Sequence, residues 1–251
     1  LLERGVSGFI FVSGQHSDTE ADHSHYVSLV DRRLPLVLVN GFSPRVDAAF
    51  ISTDDAAAAQ MSVSHLVSLG HSRIGLAVGP QRYVPVIRKR AAFLAAVADL
   101  LGEDAVDESL IAHTIFSVEG GQAAAARLLE RGATALVCGS DLMALGAVRA
   151  ARSQGLRVPE DVSIVGYDDS GLMAFTDPPL TTVRQSVTAM ATAVVQTLLD
   201  EIGGAPTPRV EYLFRPELVV RGSTAAGPSG RARRRTSGRP ARVPRQPALI
   251  R

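Results

Sequence analysis

Five short apolar runs punctuate the chain: "GFIFVSG" (8–14), "LPLVLVNG" (34–41), "RIGLAVGP" (73–80), "ALVCGSD" (135–141) and "VSIVGYDD" (162–169). Each is strand-length, partly β-branched and closes in Gly, Asn or Asp. They are almost continuously apolar instead of alternating, the pattern of parallel strands covered on both faces. The segments between them have helical spacing. After "STDD", Met61, Leu66 and Leu69 share a face with Ala58 and Ala59; Thr53 or Asp54 is placed to cap that helix and Gly70 to stop it. Phe93, Leu94, Val97 and Leu101 predict a helix over 89–101. Ala124, Leu128 and Leu129 predict one over 119–131, stopped by Gly132. Two more are predicted over 142–154 and 187–202, each followed by glycine.

Strand and helix in alternation predict a doubly wound α/β architecture with right-handed crossovers. Ligands in such sheets bind beyond the carboxyl ends of strands. That places Gly14, Asn40, Gly79, Ser140-Asp141 and Asp168-Asp169 near candidate sites.

Composition refines this picture in two places. Apolar residues are 46% and charged residues 20% of 251, ordinary for a globular protein with a sizeable core. The formal net charge of +1 hides an asymmetry. From Gly227 onward there are eight arginines and no acidic residue, which leaves 18 basic against 25 acidic residues in the body. That Pro-, Gly- and Arg-rich tail (227–251) is expected to be disordered, either a solvated extension or an electrostatic contact for nucleic acid. The lone cysteine, Cys138, allows no internal disulfide, fits a cytoplasmic setting and reads as a small core residue. No apolar stretch nears the ~20 residues that span a bilayer. The opening residues lack the pattern of a signal peptide. The chain begins on Leu1 and reads as a piece that starts partway into a longer protein.

Candidate chemistry is sparse. There is no GxGxxG, P-loop or G-x-S-x-G motif, and the six histidines have no metal-ligand spacing. No cofactor is expected. The doublet Asp168-Asp169 has three readings. With Asp141 it makes three carboxylates, as a magnesium-dependent phosphoryl site requires. Asp169 or Ser170 also suits a cap. Finally, a carboxylate can accept hydrogen bonds from vicinal hydroxyls of a polyol. Adjacent strand residues point to opposite faces, so at most one of the pair serves a given site. Spacing alone leaves the choice open.

Four stretches resemble the ligand-binding core of the lactose/galactose repressor (LacI/GalR) family: "ISTDDAAAAQMSVSHLVSLGHSRIGLAVGP" (51–80), "TALVCGSDLMALGAVRAARSQG" (134–155), "GLRVPEDVSIVGYDDSGLMAFTDPPLTTVRQ" (155–185) and "PELVVRGST" (216–224). The resemblance runs colinearly over 1–224. It implies two interleaved doubly wound parallel-sheet lobes, periplasmic-binding-protein-like, with the N-terminal lobe incomplete. The implied lobes are 1–52 plus 184–213 and 53–183 plus 214–226. The cleft between them would bind a small effector, typically a sugar, sometimes a nucleobase or nucleoside. By the same resemblance the core dimerises, and operator DNA is read by an N-terminal helix-turn-helix outside this chain.

Carried over residue by residue, Asp168 matches the carboxylate that grips the effector, Phe116 an aromatic wall, and Asn40 and Gln185 polar positions. Asp169 is left the local role. Two departures stand out. Where the family presents Arg, "RKRAAF" places Lys89, with Arg88 beside it as a substitute, and Ser140 replaces the usual Asn before Asp141. Lysine lacks the planar fork that grips two hydroxyls at once. The resemblance thus implies a non-enzymatic regulator; the alternatives are a periplasmic sugar-binding protein of a transporter and the magnesium-dependent phosphoryl enzyme.

Overall fold

The structure, a computed structural model, describes residues 5–205 and 207–227. In chain order its first elements are β1 (Phe9–Val12), α1 (Ser24–Asp31), β2 (Leu36–Val39), β3 (Ala49–Thr53) and α2 (Asp55–Ser68). There follow β4 (Ile74–Val78), α3 (Val84–Leu101), β5 (Ile111–His113), α4 (Val118–Glu130), β6 (Ala135–Cys138) and α5 (Asp141–Ser153). The last are β7 (Ser163–Asp168), β8 (Thr181–Arg184), α6 (Val187–Ile202), β9 (Glu211–Phe214) and β10 (Glu217–Val219).

The strands form two sheets. The first has four strands in the order β1-β2-β3-β9, all parallel. The second has six in the order β10-β8-β7-β6-β4-β5, parallel except for β10 against β8. The chain passes between sheets at 53–55, at 184–187 and at 214–217. All five apolar runs contain a strand. Their continuous apolarity has its reason in the layers. Leu36, Leu38 and Phe50 pack with Tyr26 of α1 on one face of the first sheet, and Val37, Val39 and Ile51 with Met190 and Val194 of α6 on the other. In the second sheet, Leu136 and Ile164 meet α4 and α5, while Val137 and Val165 meet α2 and α3. Each such side chain contributes roughly 1.5–3 kcal/mol relative to exposure.

Helix limits follow local chemistry. Asp54 caps α2 by accepting from the Ala57 amide, and Gly70 takes φ 87° just past its end. Ser117 and Ser140 cap α4 and α5 in the same way. α3 begins five residues before the expected start at 89, because Pro85 in its first turn suits a helix N-terminus. Strands β3, β5, β8, β9 and β10 lie outside the five runs. β5 is short and edge-placed, and β3 and β8 carry buried Ser52, Thr53, Thr181 and Thr182 that dilute the apolar signal. Among the described residues β1 is an outer strand of the first sheet, and its Ile10 and Val12 are exposed. Of the expected basic tail, residues 228–251 lie outside the described residues.

Candidate functional site

The carboxyl ends of the parallel strands in both sheets face a cleft of about 530 Å³, within the range of small-molecule sites. Ser13, Ser17 and Asn40 reach it from the first sheet's side. Phe116, Ser140 and Asp168 reach it from the second, and Gln185 from the crossing after β8.

The two carboxylates that end β7 have unlike surroundings. Both residues have left-handed backbones, φ 115° at Asp168 and φ 55° at Asp169, so the strand turns sharply between them. Asp168 faces the cleft, where its Oδ1 accepts from Gln185 Nε2 at 2.7 Å. Burial, assisted by Asp141 and Asp55 nearby, pushes its pKa up to about 6 against the opposing influence of Gln185 and Lys89. Asp169 turns away and pairs with Arg184 at 2.7 Å and Arg221 at 2.6 Å. Burial is the largest influence on it and acts upward, yet the hydrogen bonds and charges of the two arginines together hold it below the usual carboxylate range.

Asp141 is fully occupied one layer behind the wall. Its Oδ1 accepts from Thr182 Oγ1 at 2.6 Å and its Oδ2 from the Ser170 amide at 2.7 Å, and burial raises its pKa. The three carboxylates therefore do not converge. Among the described residues no group of three or more His, Cys, Asp or Glu side chains is arranged to hold a metal ion.

Lys89 lines the cleft as part of a buried cluster. Its Nζ lies 2.5 Å from Asp55 Oδ1 and 3.7 Å from the centre of the Tyr167 ring. Tyr167 in turn donates to Asp55 at 3.1 Å, and burial drives the phenol's pKa well up. Arg88 requires a correction: it is not on the cleft wall. One helix position away from Lys89, it points to β9 and makes a two-pronged pair with Glu211 at 2.8 and 2.7 Å. That pair uses two of the guanidinium's five N–H donors and commits the side chain to β9.

The remaining expected residues have structural duties as well. Gln185 Oε1 accepts from Thr53 Oγ1 at 2.6 Å, so one amide ties the end of β3 to Asp168 across the sheets. Asn40, at φ 58°, accepts from the Thr53 amide at 3.3 Å. Ser140 accepts from the Met143 amide while lining the cleft. Phe116 lies half-exposed with its ring against Gly79, where any Cβ would overlap it. Sequence reasoning missed Asp55, Tyr83, Val86, Leu142 and Tyr167, all on the cleft wall. For Asp55 there was one signal: "STDD" is a second Asp doublet at a strand end, and only its first member is needed for capping.

Outside the cleft, Cys138 is core, its thiol pushed up to about 12 by burial. His71 is buried and hydrogen-bonds Thr134, Ser163 and the Ala225 carbonyl, stitching a helix end to the second sheet.

Comparison with known proteins follows the same lines. The family of periplasmic binding protein-like domains matches residues 63–224. The HTH-type transcriptional regulator MalR of Streptomyces coelicolor is 59% identical over 235 residues, covering 93% of this chain and 68% of that protein. The HTH-type transcriptional repressor CytR of Escherichia coli is 38% identical over 196 residues, covering 77% and 57%. Among solved structures, the complex of the transcriptional regulator CelR with cellobiose superposes with a TM-score of 0.78 at 30% identity, covering 88% of this chain and 66% of that one. The chain thus spans about two thirds of the length of MalR and CelR.

Proposed function

Because this chain belongs to the LacI/GalR family of transcriptional regulators and carries its periplasmic-binding-protein-like core, we propose that it senses a small polar effector, a sugar by class, in the cleft between its two lobes. In this reading the lobes are 1–52 with 184–213 and 53–183 with 214–226, and the core also dimerises. Operator DNA would be contacted by a helix-turn-helix of the kind that gives the relatives their names. The similarity to the regulators MalR, CytR and CelR favours this over a periplasmic solute-binding protein.

The observation that carries the proposal is Asp168. Among the described residues its only side-chain hydrogen-bond partner is the neutral amide of Gln185, and it shares the cleft with apolar and aromatic lining such as Val86, Phe116 and Leu142. A sugar needs both elements: an acceptor for its hydroxyls and a ring face for its C–H surface. The cellobiose bound to CelR is a ligand of that chemistry. Gln185 connects the site to regulation, since it contacts Asp168 in the cleft and Thr53 at a lobe crossing. An effector shifts the lobe arrangement only by its differential affinity for the two states, so groups that touch both lobes are where that difference arises. The test is titration calorimetry of the chain against glucose, maltose, cellobiose, ribose and nucleosides. Saturable heat is expected with at least one sugar; its absence across the whole panel overturns the proposal.

A further inference from the structure

The charges around the cleft discriminate between ligands that a sugar reading alone leaves equivalent. Three acidic or basic side chains line the wall, Asp55, Lys89 and Asp168, and two of them are carboxylic acids. Asp141 adds a third carboxylate one layer behind Asp168. The cation on the wall is already engaged. Lys89 is held by Asp55 at 2.5 Å and by the Tyr167 ring, and Asp55 is itself buried. Drawing the ammonium toward an incoming anion would strand a carboxylate away from water.

The nearby arginines are engaged elsewhere. Arg88 holds Glu211, Arg82 holds Asp18, Arg184 holds Asp169 and Glu217, and Arg221 holds Asp169. The N-termini of α2, α3 and α5 reach the cleft, and such ends ordinarily attract anions, but that of α2 is capped by Asp54 and carries Asp55 in its first turn. Here the end of α5 is capped by Ser140 and neutralised by Asp141 in its first turn. At the start of α3, Pro85 lines the wall where another residue would present an amide N–H.

From this distribution we infer that the cleft selects neutral, unphosphorylated sugars and rejects sugar phosphates and other anionic ligands. Asp168 both accepts hydroxyl donors and repels a phosphate monoester, and among the described residues the cleft wall offers no unpaired cation to offset that repulsion. The inference rests on the sugar reading and names the class of sugar within it.

Calorimetry with the whole chain at pH 7.5 tests it, using glucose, maltose and cellobiose, each paired with its 6-phosphate (on the non-reducing ring for the disaccharides). The neutral member of a pair that binds is expected to bind at least about 100-fold more tightly than its phosphate. A phosphate that binds as tightly as its neutral partner, or more tightly, overturns the inference and leaves the sugar reading standing. Failure of every member of both series overturns the inference, and the sugar reading falls with it only if ribose and the nucleosides also fail to bind. An Asp168→Asn variant gives a second measure. Removing the charge is expected to narrow the neutral-to-phosphate ratio by at least about tenfold, and an unchanged ratio in a folded variant counts against Asp168 as the discriminating charge.

Discussion

At the scale of single residues, Asp168 combines an electrostatic cost with a binding role. Its carboxyl titrates near 6 in the folded protein against 3.8 ordinarily, so between those values the folded chain holds a proton that the unfolded chain has released. Stability from this group is therefore present at low pH and lost as pH rises through about 6. Above that, keeping the carboxylate ionised costs on the order of 2–3 kcal/mol. Asp168→Asn is expected to raise the melting temperature at pH 7.5 and to lose that gain near pH 4, as measured by thermal melts across the range. An equal gain at both ends would show that ionisation is not the cause. The groups acting on Asp168 are Gln185 from the β8–α6 crossing, Asp141 of α5, Lys89 of α3 and Asp55 of α2. A neutral ligand that donates to Asp168 needs the carboxylate, so its affinity should fall below pH 6 by up to about tenfold per pH unit.

At the scale of elements, α4 and α5 approach so closely that glycine is obligatory on both. A Cβ at Gly121 would overlap the backbone of Met143, and one at Gly146 would overlap the Val118 carbonyl and the Gln122 amide. This contact fixes α5, whose capped first turn places Ser140 and Leu142 on the cleft wall and Asp141 behind Asp168. Backbone is the obstacle, so no rotamer change relieves it. Gly121→Ala is therefore expected to destabilise by roughly 3 kcal/mol or more despite alanine's better helix propensity. Urea denaturation reads this directly, and a neutral or stabilising result would mean the helices can slide apart. The glycines were legible in the sequence only as weak points in two helices. Their partner helix, and hence their necessity, was not.

At the scale of the whole molecule, side-chain pairs join the two halves beside the cleft. Arg82, at the entry to α3, pairs with Asp18 at 2.7 Å, and its carbonyl accepts from Thr19 on the first sheet's side. Arg88 of α3 grips Glu211 of β9. The Arg82–Asp18 pair is largely exposed on its arginine side, so solvent screening keeps its contribution small. Asp18→Asn is accordingly expected to weaken a cleft ligand by no more than about fivefold, chiefly through faster dissociation, and to do so less at high salt. A loss of 100-fold would assign Asp18 a direct ligand contact instead.

By itself the sequence pointed to the two-sided burial of β2, β4, β6 and β7, because a parallel strand covered on both faces is mostly apolar, and "LVLV" states that locally. It determined the helix ends where a cap or a glycine lies beside its own helix, as at Asp54 and Gly70. It also carried the family resemblance, which set Asp168 and Asp169 apart; their unlike surroundings arise in the fold from two successive left-handed backbones and not from a regular pleat. Tertiary structure alone decided which charges are free. Lys89 and Arg88 are adjacent in sequence and look interchangeable, yet one meets Asp55 and Tyr167 in the cleft wall and the other meets Glu211, 123 residues away. Charge compensation is pairwise and acts through space, so no local pattern records it, and the ligand class that depends on it is written in the fold.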